Sequence, residues 1–96
     1  MQIVIRNYST KGSSDLFDVL EKRTAELDPI MRSVPGLVSY TLARGGTGGF
    51  SVTICQDQAG IDESIRRAKD FIAKHAAHVA VEAPNVSVAK VLLHLK

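Results

Sequence analysis

Residues 37–55 read LVSYTLARGGTGGFSVTIC, two short segments separated by a run of glycines. Side chains along Leu37–Arg44 divide between two faces with the two-residue period of a β-strand, and Phe50–Cys55 is rich in β-branched and aromatic residues. Gly45–Gly49 has the length and composition of a hairpin loop. We therefore predict two adjacent antiparallel strands. A phosphate-binding loop is excluded because a strand, and not a helix N-terminus, follows the glycines.

A strand and a helix are predicted before this hairpin. Met1–Tyr8 contains the β-branched run Ile3-Val4-Ile5, typical of a strand with apolar groups on both faces. Pro29 lies inside the helical pattern that follows and lacks an amide hydrogen, so we predict a kink or short break near Leu27-Asp28. The helix is indicated by an apolar stripe at helical spacing: Leu16, Leu20, Leu27, Met31 and Val34.

A second helix and a last strand are predicted after the hairpin. The strand extends from Val86 to Leu95. The order βαββαβ, with no repeat and no linker, predicts a single domain over residues 1–96 of the α+β class, with a ferredoxin-like, four-stranded antiparallel sheet and two helices on one face. The second helix is indicated by another apolar stripe: Ile61, Ile65, Ala68, Ile72, His75 and Val79.

The uncovered face of this sheet predicts that the chain forms an oligomer. Two helices cover one face only, whereas the first and last strands carry apolar side chains on both faces. A second copy of the same sheet is the most economical cover, so we expect a homodimer formed through the sheet faces.

Composition narrows the classes of partner and location. The chain has 96 residues, 45% of them hydrophobic, and a net charge of +2 without a basic cluster, so neither nucleic acid nor a membrane is expected as a partner. Gly49, Ser51 and Ile54 stand where an RNA-recognition module needs stacking rings. Cys55 is the single cysteine, and without a secretory signal a cytoplasmic location is expected.

Two segments resemble the antibiotic biosynthesis monooxygenase family. They are Val34–Leu42, where a helix ends in Pro-Gly and a tyrosine follows four residues after the glycine, and Cys55–Ile61 at the junction of the third strand and the second helix. The resemblance implies a dimeric α+β barrel. It also implies cofactor-independent oxygenation, or at least binding, of a small aromatic or polyketide-like molecule. Haem degradation is a third possibility within the same superfamily, and haem is then the cofactor.

The chain differs from the family pattern within the segment that carries the family's catalytic signature. Cys55, Gln56 and Asp57 stand where the family usually has Trp, Glu and Asp, and Ser64 replaces a typical histidine. The chain has no tryptophan. Whether the protein is an enzyme is therefore left open, and the alternative is a non-catalytic ligand-binding or interaction module of the same superfamily.

Asn7 and His75 are the candidate catalytic residues, on the layout of haem-degrading members. The resemblance implies that His75 ligates iron and that Asn7 donates a hydrogen bond to a bound oxygen species. The alternative for His75 is a satisfied core or interface histidine. Tyr40, Arg44 and Cys55 are the candidate ligand-binding residues, Arg44 because it precedes the glycine-rich loop. No metal site is expected, since the His75 and His78 pair has no third ligand.

Overall fold

The computed structural model describes residues 1–96, and they form a four-stranded antiparallel sheet with three helices. The strand order across the sheet is β2-β3-β1-β4. This arrangement confirms the ferredoxin-like α+β class. In chain order the elements are β1 (Gln2–Tyr8), α1 (Ser13–Lys22), α2 (Thr24–Arg32), β2 (Leu37–Gly45), β3 (Gly48–Cys55), α3 (Gln58–His75) and β4 (Asn85–Lys90).

The alternation of β1 separates the two faces of the sheet. Val4, Arg6 and Tyr8 are buried towards the helices, whereas Ile5 and Asn7 are exposed on the opposite face, which we call the open face. The core between the sheet and the helices consists of Val4, Tyr8, Leu16, Phe17, Leu20, Leu27, Met31, Val34, Cys55, Ile61, Phe71 and Ala76. None of the helices is long and apolar enough to cross a membrane.

The predicted helix around Pro29 is broken, but at a different residue. The break lies at Arg23, which has φ −122° and ψ 21° and separates α1 from α2, while Pro29 is accommodated inside α2. The prediction of a break near Leu27-Asp28 is therefore wrong.

The hairpin is tighter than predicted. Gly45 and Gly48 form a strand pair, so the turn consists of Gly46 and Thr47 and not of the five residues 45–49. Gly46 has φ +59°, a backbone conformation that residues with a side chain rarely adopt and that two-residue hairpins require.

The last strand ends five residues before the predicted Leu95. Lys90 pairs with Gln2 at the end of β1, and Val91 donates its amide hydrogen to the Met1 carbonyl at 3.0 Å. Residues 91–96, which we call the tail, continue without strand structure and expose Leu92 (90%), Leu93 (77%) and Leu95 (81%).

The two segments that resemble the monooxygenase family contact each other. Gln56 donates its amide hydrogen to the Gly36 carbonyl at 2.8 Å, and a Cβ at Gly60 would lie 2.8 Å from the Pro35 carbonyl oxygen and 2.9 Å from the Cys55 Cβ. Only glycine permits this approach. The Pro-Gly of the first segment and the Ala-Gly of the second therefore pack the start of α3 against the sheet.

Candidate functional site

A small cavity lies between the sheet and the helices. Its water-accessible volume is about 20 Å³, which is room for roughly one water molecule. Nine of the eleven lining residues are hydrophobic. The lining comprises Arg6, Tyr8, Phe17, Leu20, Leu27, Tyr40, Leu42, Ser51, Ala68, Phe71 and Ile72.

Arg6 places a guanidinium in this apolar lining. Its side chain is directed towards the helices by the alternation of β1, and the residue is only 5% exposed. Nη2 donates a hydrogen bond to the Tyr8 hydroxyl oxygen at 2.9 Å, and the guanidinium carbon lies 5.7 Å from the centre of the Tyr8 ring. Arg6 Nε is buried and has no hydrogen-bond partner.

Tyr8 and Tyr40 supply the phenolic groups of the cavity. Burial raises the pKa of Tyr40 to about 12 and also raises the pKa of Tyr8, while the positive charge of Arg6 lowers both in part. Both hydroxyls are therefore protonated at neutral pH. Tyr40 is half-buried on β2, and its predicted role as a ligand contact is consistent with its place in the cavity wall.

The structure does not bring Asn7 and His75 together. Asn7 is exposed on the open face, opposite Phe50 of β3, whereas His75 ends α3 on the other side of the sheet. Neither residue lines the cavity. His75 Nε2 lies 3.4 Å from a Glu26 carboxylate oxygen, and its ring centre is 4.5 Å from that of Phe71.

Arg44 and Cys55 also lie outside the cavity lining. Arg44 pairs with two carboxylates of α1, Asp18 at 2.7 Å and Glu21 at 3.4 Å, so its charge is already satisfied within the chain. Cys55 is fully buried at the end of β3, where burial and, to a smaller extent, the Asp57 charge raise the pKa of its thiol. A raised pKa disfavours the reactive thiolate.

The sequence interpretation missed Arg6 and Tyr8. A signal was present, because Arg6 alternates with Val4 and Tyr8 on one face of β1, and a charged residue on a buried strand face requires an explanation. The resemblance drew the interpretation to Asn7, one residue away, which points in the opposite direction.

The residues present do not fit a haem group. The cavity lining contains no histidine or cysteine that could ligate the haem iron, and His75 lies outside it, 3.4 Å from a Glu26 carboxylate oxygen. The chain also lacks a cluster of three or more His, Cys, Asp or Glu side chains that could hold a metal ion.

Comparisons with known proteins yield structural relatives only. No family model matches the sequence, and no curated protein matches it either.

Three solved structures illustrate the similarity of fold. A protein of unknown function from Nitrosomonas europaea has a TM-score of 0.71 and 19% identity, over 99% of this chain and 91% of that one. A monooxygenase from Streptomyces coelicolor in complex with the ligand nanaomycin D has a TM-score of 0.66 and 12% identity, over 99% and 90%. A mutant of MhuD with two manganese protoporphyrin IX molecules per active site has a TM-score of 0.63 and 20% identity, over 99% and 96%.

At these identities the comparisons establish the architecture, which several proteins of the monooxygenase type share. The chain therefore has the ferredoxin-like α+β fold of antibiotic biosynthesis monooxygenase-type proteins.

Proposed function

We propose that the protein binds a small aromatic molecule in the cavity between its sheet and helices and promotes its oxidation by molecular oxygen without a cofactor. The observation that carries the proposal is the composition of the cavity wall, which is apolar except for Arg6, Tyr8, Tyr40 and Ser51. Such a wall excludes water and orients an aromatic ring by a few polar contacts. A monooxygenase of the same fold, solved with nanaomycin D, supports the choice of reaction.

The chemistry requires an electron-rich substrate. In an anthrone, for example, one O₂ molecule converts the ring CH₂ into C=O: two C–H bonds break, one oxygen atom enters the carbonyl and the other leaves as water. The four electrons come from the substrate. The first step is loss of a proton to give an enolate, and the positive charge of Arg6 stabilises that anion in an environment of low dielectric constant.

The cavity wall contains no general base. Carboxylate, imidazole and thiol groups are absent from its lining, and the pKa values of both tyrosines are raised. The substrate therefore gives its proton to water before or during entry, and the role of the protein is to bind and desolvate the anion. This restricts the reaction to substrates that are already acidic.

The second candidate is a binding module without catalysis. It is favoured by the same lack of a base and by the small volume of the cavity, about 20 Å³. Any ligand larger than water requires side chains of the wall to move, which is common on binding.

We also propose that the protein is a homodimer, formed by the open face against the same face of a second copy. Ile5 is 37% exposed and Phe50 is 40% exposed on this face. Val52, which pairs with Ile5 in the register of β1 with β3, is half-buried beside them. A cytoplasmic location remains part of the proposal, since the single Cys55 cannot form an internal disulfide.

Oxygen uptake with the anthrone dithranol tests the proposed reaction. We expect consumption above the rate in buffer, with one O₂ used per anthrone converted. Ala68→Leu, which narrows the cavity, is expected to reduce the rate at least about 10-fold. Lys69→Leu is the matched control, because Lys69 is the next residue of α3 and is exposed.

The outcomes separate the two candidates. Equal rates with protein, with Ala68→Leu and in buffer would reject oxygenation. Dithranol binding by the wild type without oxygen uptake, weakened by Ala68→Leu, would establish the binding module instead.

A further inference from the structure

The surroundings of Arg6 are unusual for a charged side chain. Arg6 is only 5% exposed, yet the cavity wall contains no carboxylate to balance its charge. The Tyr8 hydroxyl is a neutral hydrogen-bond acceptor, and Nε has no partner. Burying a cation without a counter-ion costs free energy of folding. The position of Arg6 is therefore explained by a ligand that supplies the missing negative charge when it binds.

The other arginines of the chain are satisfied within it. Each is paired with at least one Asp or Glu side chain on the surface: Arg23 with Glu26, Arg32 with Asp28, Arg44 with Asp18 and Glu21, Arg66 with Glu63 and Asp70, and Arg67 with Glu63. Arg6 is thus the one arginine that is buried and the one without a carboxylate.

We infer that Arg6 is the anion-recognition residue of the cavity and that the natural ligand is a compact aromatic monoanion. This inference rests on the proposed function, for which it defines the substrate class. The guanidinium fixes the charge of the ligand, and the predominantly hydrophobic lining fixes its apolar body.

Two neighbours support the anion at this position. Tyr8 holds Nη2 by its hydroxyl and so positions the guanidinium. Ser51 stands directly opposite Arg6 in the pairing of β1 with β3 and lines the same cavity, so its hydroxyl is available as a second donor. A cationic ligand is excluded, because the wall offers it no carboxylate.

The test compares an anion with its neutral counterpart. para-Fluorobenzoate and para-fluorobenzamide have nearly the same shape, and their binding to the full-length protein is measured by fluorine NMR titration. We expect benzoate to bind at least about 10-fold more tightly than benzamide, which is the difference that a charge-assisted hydrogen bond provides. These probes are the smallest aromatic ligands of each charge and demand the least opening of the cavity.

Variants identify the residue responsible. Arg6→Gln is expected to remove the preference for benzoate while leaving the affinity for benzamide unchanged. Arg6→Met retains an unbranched apolar stem without the buried charge and provides a second variant that is expected to fold. Arg44→Gln is the matched control, since Arg44 lies outside the cavity and is paired with Asp18.

Each outcome decides the inference. Equal affinity for the two probes, or a benzoate preference that persists in both Arg6 variants, would overturn it. A preference lost equally in Arg44→Gln would also overturn it. Benzoate binding that depends on Arg6, without oxygen uptake in the dithranol assay, would support the inference and reject oxygenation. Uptake unaffected by Arg6→Met would retain the oxygenase and reject the inference.

Discussion

Each face of the sheet carries a type of side chain that is energetically unfavourable in its surroundings. The face under the helices buries the charged Arg6 without a counter-ion, whereas the open face exposes the apolar Ile5 and Phe50 to solvent. The first costs free energy through desolvation, and the second through contact of apolar groups with water. We propose that a small anion compensates the first and that a second copy of the chain covers the second.

Charging the open face is expected to have the largest effect. Ile5→Lys places like charges opposite each other in the proposed dimer, so its dissociation constant is expected to rise at least about 100-fold. Native mass spectrometry and sedimentation velocity measure the change. Ala73→Lys, an exposed position on α3, is the control and is expected to leave the dimer intact. A wild-type protein that is monomeric at every concentration would reject the dimer.

Removing the charge under the helices is expected to stabilise the free protein. Arg6→Met replaces an uncompensated buried cation by an apolar chain of similar length, and the free energy of unfolding is expected to increase by about 1 kcal/mol. Urea denaturation measures it. The control Arg44→Met removes two partly exposed ion pairs and is expected to lower the free energy of unfolding slightly. If Arg6→Met and Arg44→Met lower the free energy of unfolding by similar amounts, the buried charge of Arg6 does not destabilise the free protein.

The absorbance of the two cavity tyrosines provides an independent measure of the effect of the Arg6 charge. Tyr8 and Tyr40 are the only tyrosines, so tyrosinate absorbance of the native protein is expected to appear above the ordinary pKa of 10, with Tyr40 near 12. Arg6→Met is expected to raise both values further, because Arg6 lowers them. Since the folded-state pKa of Tyr40 is raised, its contribution to stability is present below pH 10 and is lost between about pH 10 and 12. An unchanged titration in Arg6→Met would contradict this.

The smallest expected effect is on the pH dependence of stability, and it comes from the ion pairs of Glu63. Hydrogen bonds from Arg66 and Arg67 lower the pKa of Glu63 to about 2, below its usual 4.5. The associated stabilisation is therefore present above pH 4.5 and is lost as the pH falls towards 2. Glu63→Gln is expected to flatten the stability profile in this range only. Urea denaturation at a series of pH values tests this expectation, and Glu82→Gln on the surface loop is the comparison.

The sequence predicted the sheet and its class because strand periodicity and the glycine turn are local signals. Its errors occurred where tertiary context decides. β4 ends at Lys90, where its pairing with β1 ends opposite Gln2, although the apolar pattern of its sequence continues to Leu95. The helix breaks at Arg23, although Pro29 is the stronger local signal.

The candidate site was less predictable for a specific reason. β1 has apolar residues on both faces, so its sequence does not tell which face the helices cover. That choice decides whether Arg6 or Asn7 lies inside. Tyr40 was selected from the resemblance to the monooxygenase family, and it lies in the cavity wall on β2. Arg44 was selected for its charge, and its partners on α1 are distant in sequence.

The helix break at Arg23 separates two determinants of selectivity. It makes Thr24–Arg32 a helix of its own, and Leu27 is the residue through which that helix lines the cavity. The charge of the site comes from Arg6, on a central strand of the sheet. In the proposed site, Leu27 and Arg6 thus belong to different elements, so we expect a smaller side chain at Leu27 to admit bulkier ligands while the preference for an anion is retained.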